Sequence, residues 1–277
     1  MFAYIGGKSK QAKWISELMP VVNSDIKTYV EPFGGAMWNF INNTFVPKKA
    51  IYNDMNIYLY NLWCCIREYD KFLKILKEKN FKLNDKPTFK RIKKTFFENR
   101  ECDVPDFDVA SEYIYFLSHC FSGDASGTGN MRLNKQGFVP FMKRLGNQKF
   151  TKRIDLITDI ENLSYEKVIK KFDSGNTFFY IDPPYWQSEN LYSFHSFNRE
   201  SHFELAEILQ NIKGKFLLSY YDYKELNNLY PKSIFNRFEK EYKRSSRPSK
   251  GNEKKPITTE ILISNYKKQD IMDLFFK

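Results

Sequence analysis

The chain has 277 residues, enough for one large α/β domain or for a domain that carries a sizeable insertion. Hydrophobic residues make up 42% of it and aromatic residues 17%, which provides material for a core and excludes wholesale disorder. Lys and Arg number 44 against 33 Asp and Glu, and the resulting net charge of +11 favours a polyanionic partner.

The cysteines and histidines suggest neither a disulfide framework nor a metal site. Cys64, Cys65, Cys102 and Cys120 form no C-x-x-C unit, so we expect reduced thiols. The three histidines are too scattered to predict a zinc site. No apolar run is long enough to cross a bilayer and no signal peptide is recognisable, so we expect a soluble, intracellular protein.

Three stretches of the first quarter have the features of a ligand site. Tyr4-Ile5-Gly6-Gly7-Lys8 places a glycine pair, which allows close backbone approach, beside a cation. Thr28 to Ala36 reads as a strand followed by a tight glycine turn at Gly34 and then a helix. A second strand ends at Asp54, 20 positions after Gly34, a spacing typical of an acid that binds ribose hydroxyls. The pattern lacks the G-x-G-x-x-G diphosphate cradle, so it favours an adenosine cofactor without a pyrophosphate, such as S-adenosylmethionine.

The middle of the chain is predicted to be mostly helical. Helical patterns cover 56–69, 71–79, 87–99 and 107–121. A Gly/Ser loop then leads into Met131 to Pro140, which we predict to be a hairpin turning near 135–137. Arg132, Lys135, Lys143 and Arg144 surround it, and such a cationic hairpin is suited to contact DNA phosphates, although a solvated surface would look similar.

The last part of the chain returns to strands. Strands are predicted at 155–160, 177–181 and 215–220, a helix at 201–210, and an antiparallel edge pair at 234–242 and 259–265. The loop between the edge strands is the most basic stretch and carries Arg244, Arg247 and Lys250, which would suit phosphate contact.

The stretch Asp182-Pro183-Pro184-Tyr185 follows a buried-looking strand. Two prolines end a sheet ladder in a stiff turn, which presents a carboxylate, a carbonyl and an aromatic face at the carboxyl end of the strand. In open α/β sheets ligands bind at that edge. A planar base with an exocyclic amine fits these groups, whereas a plain Asp-Pro turn is the alternative for the tetrapeptide alone.

Together these motifs resemble the Dam-type, alpha-group adenine-N6 DNA methyltransferases. The resemblance rests on Tyr4 to Lys8, Glu31 to Ala36, Asn53 to Asn56 and Asp182 to Tyr185, in the order of the family. It implies a Rossmann-like α/β sheet, with catalytic parts at 1–56 and 151–277, that binds S-adenosylmethionine. It also implies a mostly helical target-recognition insertion at 57–150, with the basic hairpin near 130–141.

The resemblance further implies roles for individual residues. Tyr4, Gly6 and Lys8 would enclose the methionine end of the cofactor, Phe33 and Gly34 its adenosine, and Asp54 its ribose, with Ser164 a further cofactor contact. The catalytic tetrapeptide would be Asp182, Pro183, Pro184 and Tyr185, with Asp182 also facing the cofactor. The expected DNA contacts are Arg132, Lys135, Pro140, Lys143, Arg144, Arg244, Arg247 and Lys250.

By that resemblance the enzyme methylates a flipped-out adenine in a short duplex sequence, within a bacterial or phage-infected cell and beside a possible cognate restriction endonuclease. The insertion lacks the Tyr-Asn-Gly and Arg cluster with which Dam members read GATC, so that site is not implied. The alternatives are a cytosine-N4 methyltransferase, which usually has Ser at the position of Asp182, and a non-catalytic DNA-binding protein with a vestigial cofactor site.

Overall fold

The structure, a computed structural model, describes residues 2–20, 25–98, 100–120, 131, 137–192, 194, 196–243 and 257–267. Within them lies one seven-stranded sheet of order β3-β2-β1-β4-β5-β7-β6. Its strands are β1 (Thr28–Glu31), β2 (Lys49–Asn53), β3 (Ile157–Glu161), β4 (Thr177–Ile181), β5 (Lys215–Tyr221), β6 (Asn236–Lys243) and β7 (Ile257–Ser264).

The first five strands are parallel, and the last two form an antiparallel edge. β1 pairs with both β2 and β4, β2 with β3, and β4 with β5, all in parallel register. β7 lies antiparallel between β5 and β6. The predicted α/β sheet and its antiparallel edge pair are therefore confirmed.

Helices cover both faces of the sheet. They are α1 (Ala12–Glu17), α2 (Trp38–Asn42), α3 (Ile57–Arg67), α4 (Tyr69–Lys79), α5 (Lys86–Phe97), α6 (Phe107–His119), α7 (Phe138–Leu145), α8 (Gln148–Ile154), α9 (Tyr165–Phe172), α10 (Arg199–Gln210) and α11 (Leu226–Leu229). None of the described helices is long and apolar enough to cross a membrane. In the same residues no group of three or more His, Cys, Asp or Glu side chains is arranged to hold a metal ion.

Strand periodicity divides the core between the two faces. Tyr52 and Tyr180 pack on one face with α1 to α8, whereas Ile51 and Ile181 pack on the other with α9 to α11. Successive side chains of a strand point to opposite faces, and buried parallel strands are apolar on both. The helices between β2 and β3 thus share a hydrophobic core with the sheet, and the limits of a recognition domain at 57–150 stay a prediction.

One predicted element is wrong. The second arm of the expected hairpin near 130–141 is not a strand, because Phe138–Leu145 forms α7. Phe138, Phe141 and Leu145 are buried at helical spacing, and Phe141 meets the rings of both Phe2 and Phe72. The packing of this apolar stripe into the core therefore favours a helix over the predicted strand. Residues 132–136, which include most of the turn predicted near 135–137, lie outside the described part.

Candidate active site

The main cleft opens where the chain order of the sheet reverses. From β1 the chain proceeds to β2 and β3 on one side, and it later returns to add β4 and β5 on the other. The crevice at the carboxyl ends of such a neighbouring pair is the usual ligand site of open α/β sheets. Here β1 ends in Glu31 and β4 is followed by Asp182, and both acids line the cleft.

The cleft collects all the residues predicted to bind the cofactor. Its walls include Tyr4, Gly6, Lys8, Phe33, Gly34, Asp54, Ser164 and Asp182. Of the predicted catalytic tetrapeptide, Asp182 and Pro184 line the cleft, whereas Pro183 and Tyr185 do not. Residues from the N-terminus, from the ends of the four strands β1 to β4 and from the start of α10 thus meet in one cavity.

Asp54 is held with its carboxylate facing the cleft. One oxygen accepts the Gly35 amide at 2.9 Å and the other accepts the Asn56 amide at 2.9 Å. Asn53 stiffens the strand end from behind, since its side chain binds the carbonyls of Pro32 and Leu163. Burial raises the pKa of Asp54 to about 6, and the two amide donors oppose that rise. Asp54 is therefore an oriented acceptor that lines the cleft and has acceptor capacity beyond these two amides.

Aromatic rings form both ends of the cleft. Phe33 stacks on Tyr165 with centroids 5.4 Å apart, and the edge of Phe197 closes the same corner. At the other end Tyr4 and Tyr192 lie 6.5 Å apart. A cavity that combines aromatic walls with oriented polar groups suits a planar heterocycle that carries a polar chain.

Close contacts with the neighbouring strand β2 require a glycine at position 34, whether or not a ligand is bound. Its amide donates to the Asn53 carbonyl at 2.7 Å, which brings the turn against β2. A Cβ at this position would overlap the ring of the buried Tyr52 and lie 2.9 Å from the Asn53 oxygen. The glycine turn is thus fixed in place before any cofactor binds.

We expect Gly34→Ala to lower the free energy of unfolding by about 1–3 kcal/mol, the usual cost of overpacking a rigid core. The added methyl group has no space, because Tyr52 is buried and hydrogen-bonded to Gly35. Urea denaturation measures the effect. Gly175→Ala is the matched control, since a Cβ there meets nothing within 4 Å, and equal stability of the two variants would contradict the packing argument.

Asp182 forms a buried ion pair. Its carboxylate lies 2.9 Å from the Lys8 ammonium, and only 18% of the Asp182 side chain is exposed. Burial raises the pKa of Asp182 to about 6, which the charge of Lys8 opposes and that of Glu260 assists. Burial by itself would lower the pKa of Lys8, but the carboxylates of Asp182 and Glu260 together raise it well above its ordinary value.

Tyr185 lies beneath the cleft rather than in its wall. It is 6% exposed, and its hydroxyl contacts Ser219 at 2.7 Å and donates to Glu260. The Lys8 ammonium stands over its ring, 4.6 Å from the centroid. The aromatic face expected from the sequence is therefore covered by Lys8 in this structure.

With this geometry established, comparison with known proteins decides the family. Residues 4–246 match the family described as D12 class N6 adenine-specific DNA methyltransferase. The chain belongs to this family. Accordingly it is an adenine-specific, site-specific DNA methyltransferase, and the cytosine-N4 and non-catalytic alternatives are set aside.

Two curated relatives extend over nearly the whole chain. It is 28% identical to Type II methyltransferase M.CviBI of Paramecium bursaria Chlorella virus NC1A, over 94% of this chain and 97% of the relative. It is 24% identical to Type II methyltransferase M.MjaIII of Methanocaldococcus jannaschii, over 95% of this chain and 97% of that relative. Similarity on this scale covers the sheet, the cleft and the helices between β2 and β3 together.

The sequence did not single out some of the residues that the structure places in or beneath this cleft. Glu31 accepts the Tyr29 hydroxyl at 2.6 Å, and burial raises the pKa of this cleft-lining acid to about 8. Glu260, on β7, is fully buried under Tyr185. One signal was available for Glu260, since a lone acid adjoins the apolar run Ile261-Leu262-Ile263 in a predicted strand.

Three of the predicted DNA contacts are described, and all lie on α7. Pro140 and Arg144 are half-buried and Lys143 is exposed. The Arg144 guanidinium lies 5.8 Å from the ring centre of Trp38, which lines the cleft. The other five, Arg132, Lys135, Arg244, Arg247 and Lys250, lie outside the described residues.

Proposed function

We propose that the enzyme uses S-adenosylmethionine as methyl donor and transfers the methyl group to the amine of an adenine flipped out of duplex DNA. Asp54 would bind the ribose hydroxyls, while Phe33 and Gly34 would lie beside the adenosine. Tyr4, Gly6 and Lys8 would lie around the methionine end, and Ser164 would complete the wall. The observation that carries the proposal is the oriented Asp54 carboxylate in the same cleft as Asp182.

The charges of the cleft fit this donor. Asp54 and Asp182 line it, so a ligand with a sulfonium and an ammonium group would meet carboxylates, whereas Glu31, whose pKa is raised to about 8, adds no full negative charge near pH 7. Lys8, a cation of the same wall, is already paired with Asp182. A diphosphate would instead need a cradle of amides and free cations. The acidic lining therefore favours an adenosine ligand that carries positive charge.

Asp182 would act on the target amine by accepting a hydrogen bond from it, and the Pro183 carbonyl would accept a second one. These acceptors turn the nitrogen lone pair away from the ring plane and fix its direction. S-adenosylmethionine, when bound, supplies an electrophilic methyl group. Catalysis by the chain itself then consists of orientation and of charge placed where positive charge develops on nitrogen.

The target base would enter from a flipped nucleotide, since an amine inside the stack is out of reach of the cleft. Stacking of a base on an aromatic ring contributes roughly 1–3 kcal/mol. Tyr185 would supply this ring once Lys8 has moved from above it. Pro184 is a rigid part of the cleft wall in this arrangement.

Recognition of DNA would fall to the helical insertion at 57–150 and to the basic loop between β6 and β7. Arg144 on α7 supports the first, because its guanidinium lies 5.8 Å from the ring centre of Trp38 in the cleft wall, and Lys143 is exposed on the same helix. The relatives' designation as Type II methyltransferases supports pairing with a restriction endonuclease. The protein would then act in the cytoplasm of a bacterial or phage-infected cell, where its DNA is found.

The decisive experiment is transfer of labelled methyl groups from S-adenosylmethionine to unmethylated genomic DNA, followed by nucleoside analysis. Label in N6-methyladenine supports the proposal, and modification-aware sequencing of the same DNA reads out the recognition site. Cofactor binding measured by calorimetry, without label in DNA, would contradict the proposed acceptor. Heat-denatured DNA is the control for the need for a duplex.

We expect methyl transfer to decline as pH falls through about 6. Burial raises the pKa of both Asp182 and Asp54 to about 6, so each loses its negative charge below that pH. Because both groups act as ionised acceptors, the logarithm of kcat/KM for the donor should fall with a limiting slope of about 2. Rates measured from pH 5 to 8 test this, and a flat profile would contradict it.

A further inference from the structure

The ammonium of Lys8 occupies the position that a target amine needs. It lies 2.9 Å from the Asp182 carboxylate and 4.6 Å from the centre of the Tyr185 ring. The adenine amine would also be an N–H donor bound to Asp182, with its ring beside Tyr185. Lys8 and the target base therefore compete for one acceptor and one aromatic face.

Lys8 has a second carboxylate within reach. Its ammonium lies 3.5 Å from one oxygen of Glu260, and it also donates to the Gly6 carbonyl at 3.2 Å. The lysine is only 6% exposed and Glu260 is fully buried. A buried ammonium without a counter-charge is costly, so Lys8 can leave Asp182 easily only if Glu260 receives it.

Glu260 also holds the aromatic ring in place. It accepts the hydroxyls of Tyr185 and Ser219 on one oxygen and that of Tyr242 on the other, the last at 3.0 Å. β7 carries Glu260 opposite Tyr221 of β5, so the acid is fixed on the sheet. The ring of Tyr185 is thereby anchored at its outer end.

We propose that Glu260 is a positioning residue for base entry, which receives the Lys8 ammonium when the target amine takes its place on Asp182. The inference rests on the proposed function. Lys8 holds the place of the amine in the protein without DNA, and its charge stays paired during the exchange. Throughout the exchange the Tyr185 hydroxyl remains hydrogen-bonded to Glu260, and the Tyr185 ring becomes accessible to the incoming base.

Replacing Glu260 with a neutral residue of the same shape distinguishes this positioning role from structural support of Tyr185. Glu260→Gln keeps a carbonyl that can accept the Tyr185 hydroxyl, but it removes the negative charge that Lys8 needs. We expect the single-turnover rate at saturating donor and DNA to fall about tenfold or more, the effect of about 1.4 kcal/mol. The Kd for S-adenosylmethionine should stay within about twofold, because Glu260 does not line the cleft.

The double variant supplies the sharper test. If Glu260 acts by receiving Lys8, its substitution should have no further effect once Lys8→Met has removed the ammonium. K8M and K8M/E260Q should then give equal rates and equal fluorescence increases with DNA that carries 2-aminopurine at the target position. Residues that act independently would give additive losses instead.

Glu241→Gln is the matched control, since it makes the same charge change at an exposed position of β6. Should E260Q fail to fold because Lys8 then has Asp182 as its one remaining counter-charge among the described residues, the comparison of K8M with K8M/E260Q still decides. A further loss in the double variant, or wild-type rates in E260Q, would overturn the inference. A wild-type enzyme that does not methylate DNA would overturn the proposed function as well, which distinguishes the two failures.

Discussion

Asp182→Ala is expected to lower the methyl-transfer rate by about 100- to 1,000-fold at saturating donor and DNA, the usual effect of removing one oriented electrostatic group. The variant loses the carboxylate that accepts the target amine, and no neighbouring acid is in the same place. DNA affinity should remain, because Asp182 is not among the predicted phosphate contacts. Single-turnover kinetics with labelled donor and a DNA-binding titration measure the two quantities.

The control for Asp182→Ala is Asp70→Ala, which removes an equal charge from the exposed face of α4. Thermal melting of both variants shows whether the fold persists, since Lys8 keeps Glu260 as a partner when Asp182 is absent. A folded Asp182→Ala enzyme with wild-type turnover would show that the proposed role of the carboxylate is wrong.

Asp54→Ala is expected to weaken the binding of S-adenosylmethionine by about 10- to 100-fold. A hydrogen bond to a charged group contributes about 1.5–3 kcal/mol, and each 1.4 kcal/mol is tenfold in affinity. The loss arises because the acid is already oriented by the amides of Gly35 and Asn56, so it binds a diol without being rearranged. Isothermal titration calorimetry with the donor gives the Kd directly.

Asp54→Asn serves as the conservative companion, since its carbonyl oxygen can still accept one of the two backbone amides. Its affinity should fall between those of the wild type and Asp54→Ala. Unchanged donor affinity in a folded Asp54→Ala protein would place the ribose elsewhere in the cleft. Melting temperatures must accompany both titrations, because Asp54 also supports the turn after β2.

Much of the fold followed from local patterns. The predicted strand 177–181 matches β4 residue for residue, and 215–220 matches β5 to within one residue. Four successive helices after β2 were also predicted close to their observed bounds. These elements can be recognised in the sequence because a buried strand or an amphipathic helix repeats its apolar residues at a fixed short period.

The sequence also led to the predicted cofactor-binding residues, from Tyr4 to Asp182, which all line one cleft, and most of them stand in short motifs at a strand end or a glycine turn. It did not reveal α7, whose stripe of Phe138, Phe141 and Leu145 becomes helical by packing on distant rings.

Nor did the sequence reveal that Lys8 covers Tyr185 or that Glu260 lies beneath both. Lys8 and Glu260 are 252 positions apart, and the antiparallel return of β7 along β5 carries Glu260 to the site where it meets Lys8. Local periodicity determines which segments become strands, whereas the order in which strands pair decides which side chains meet.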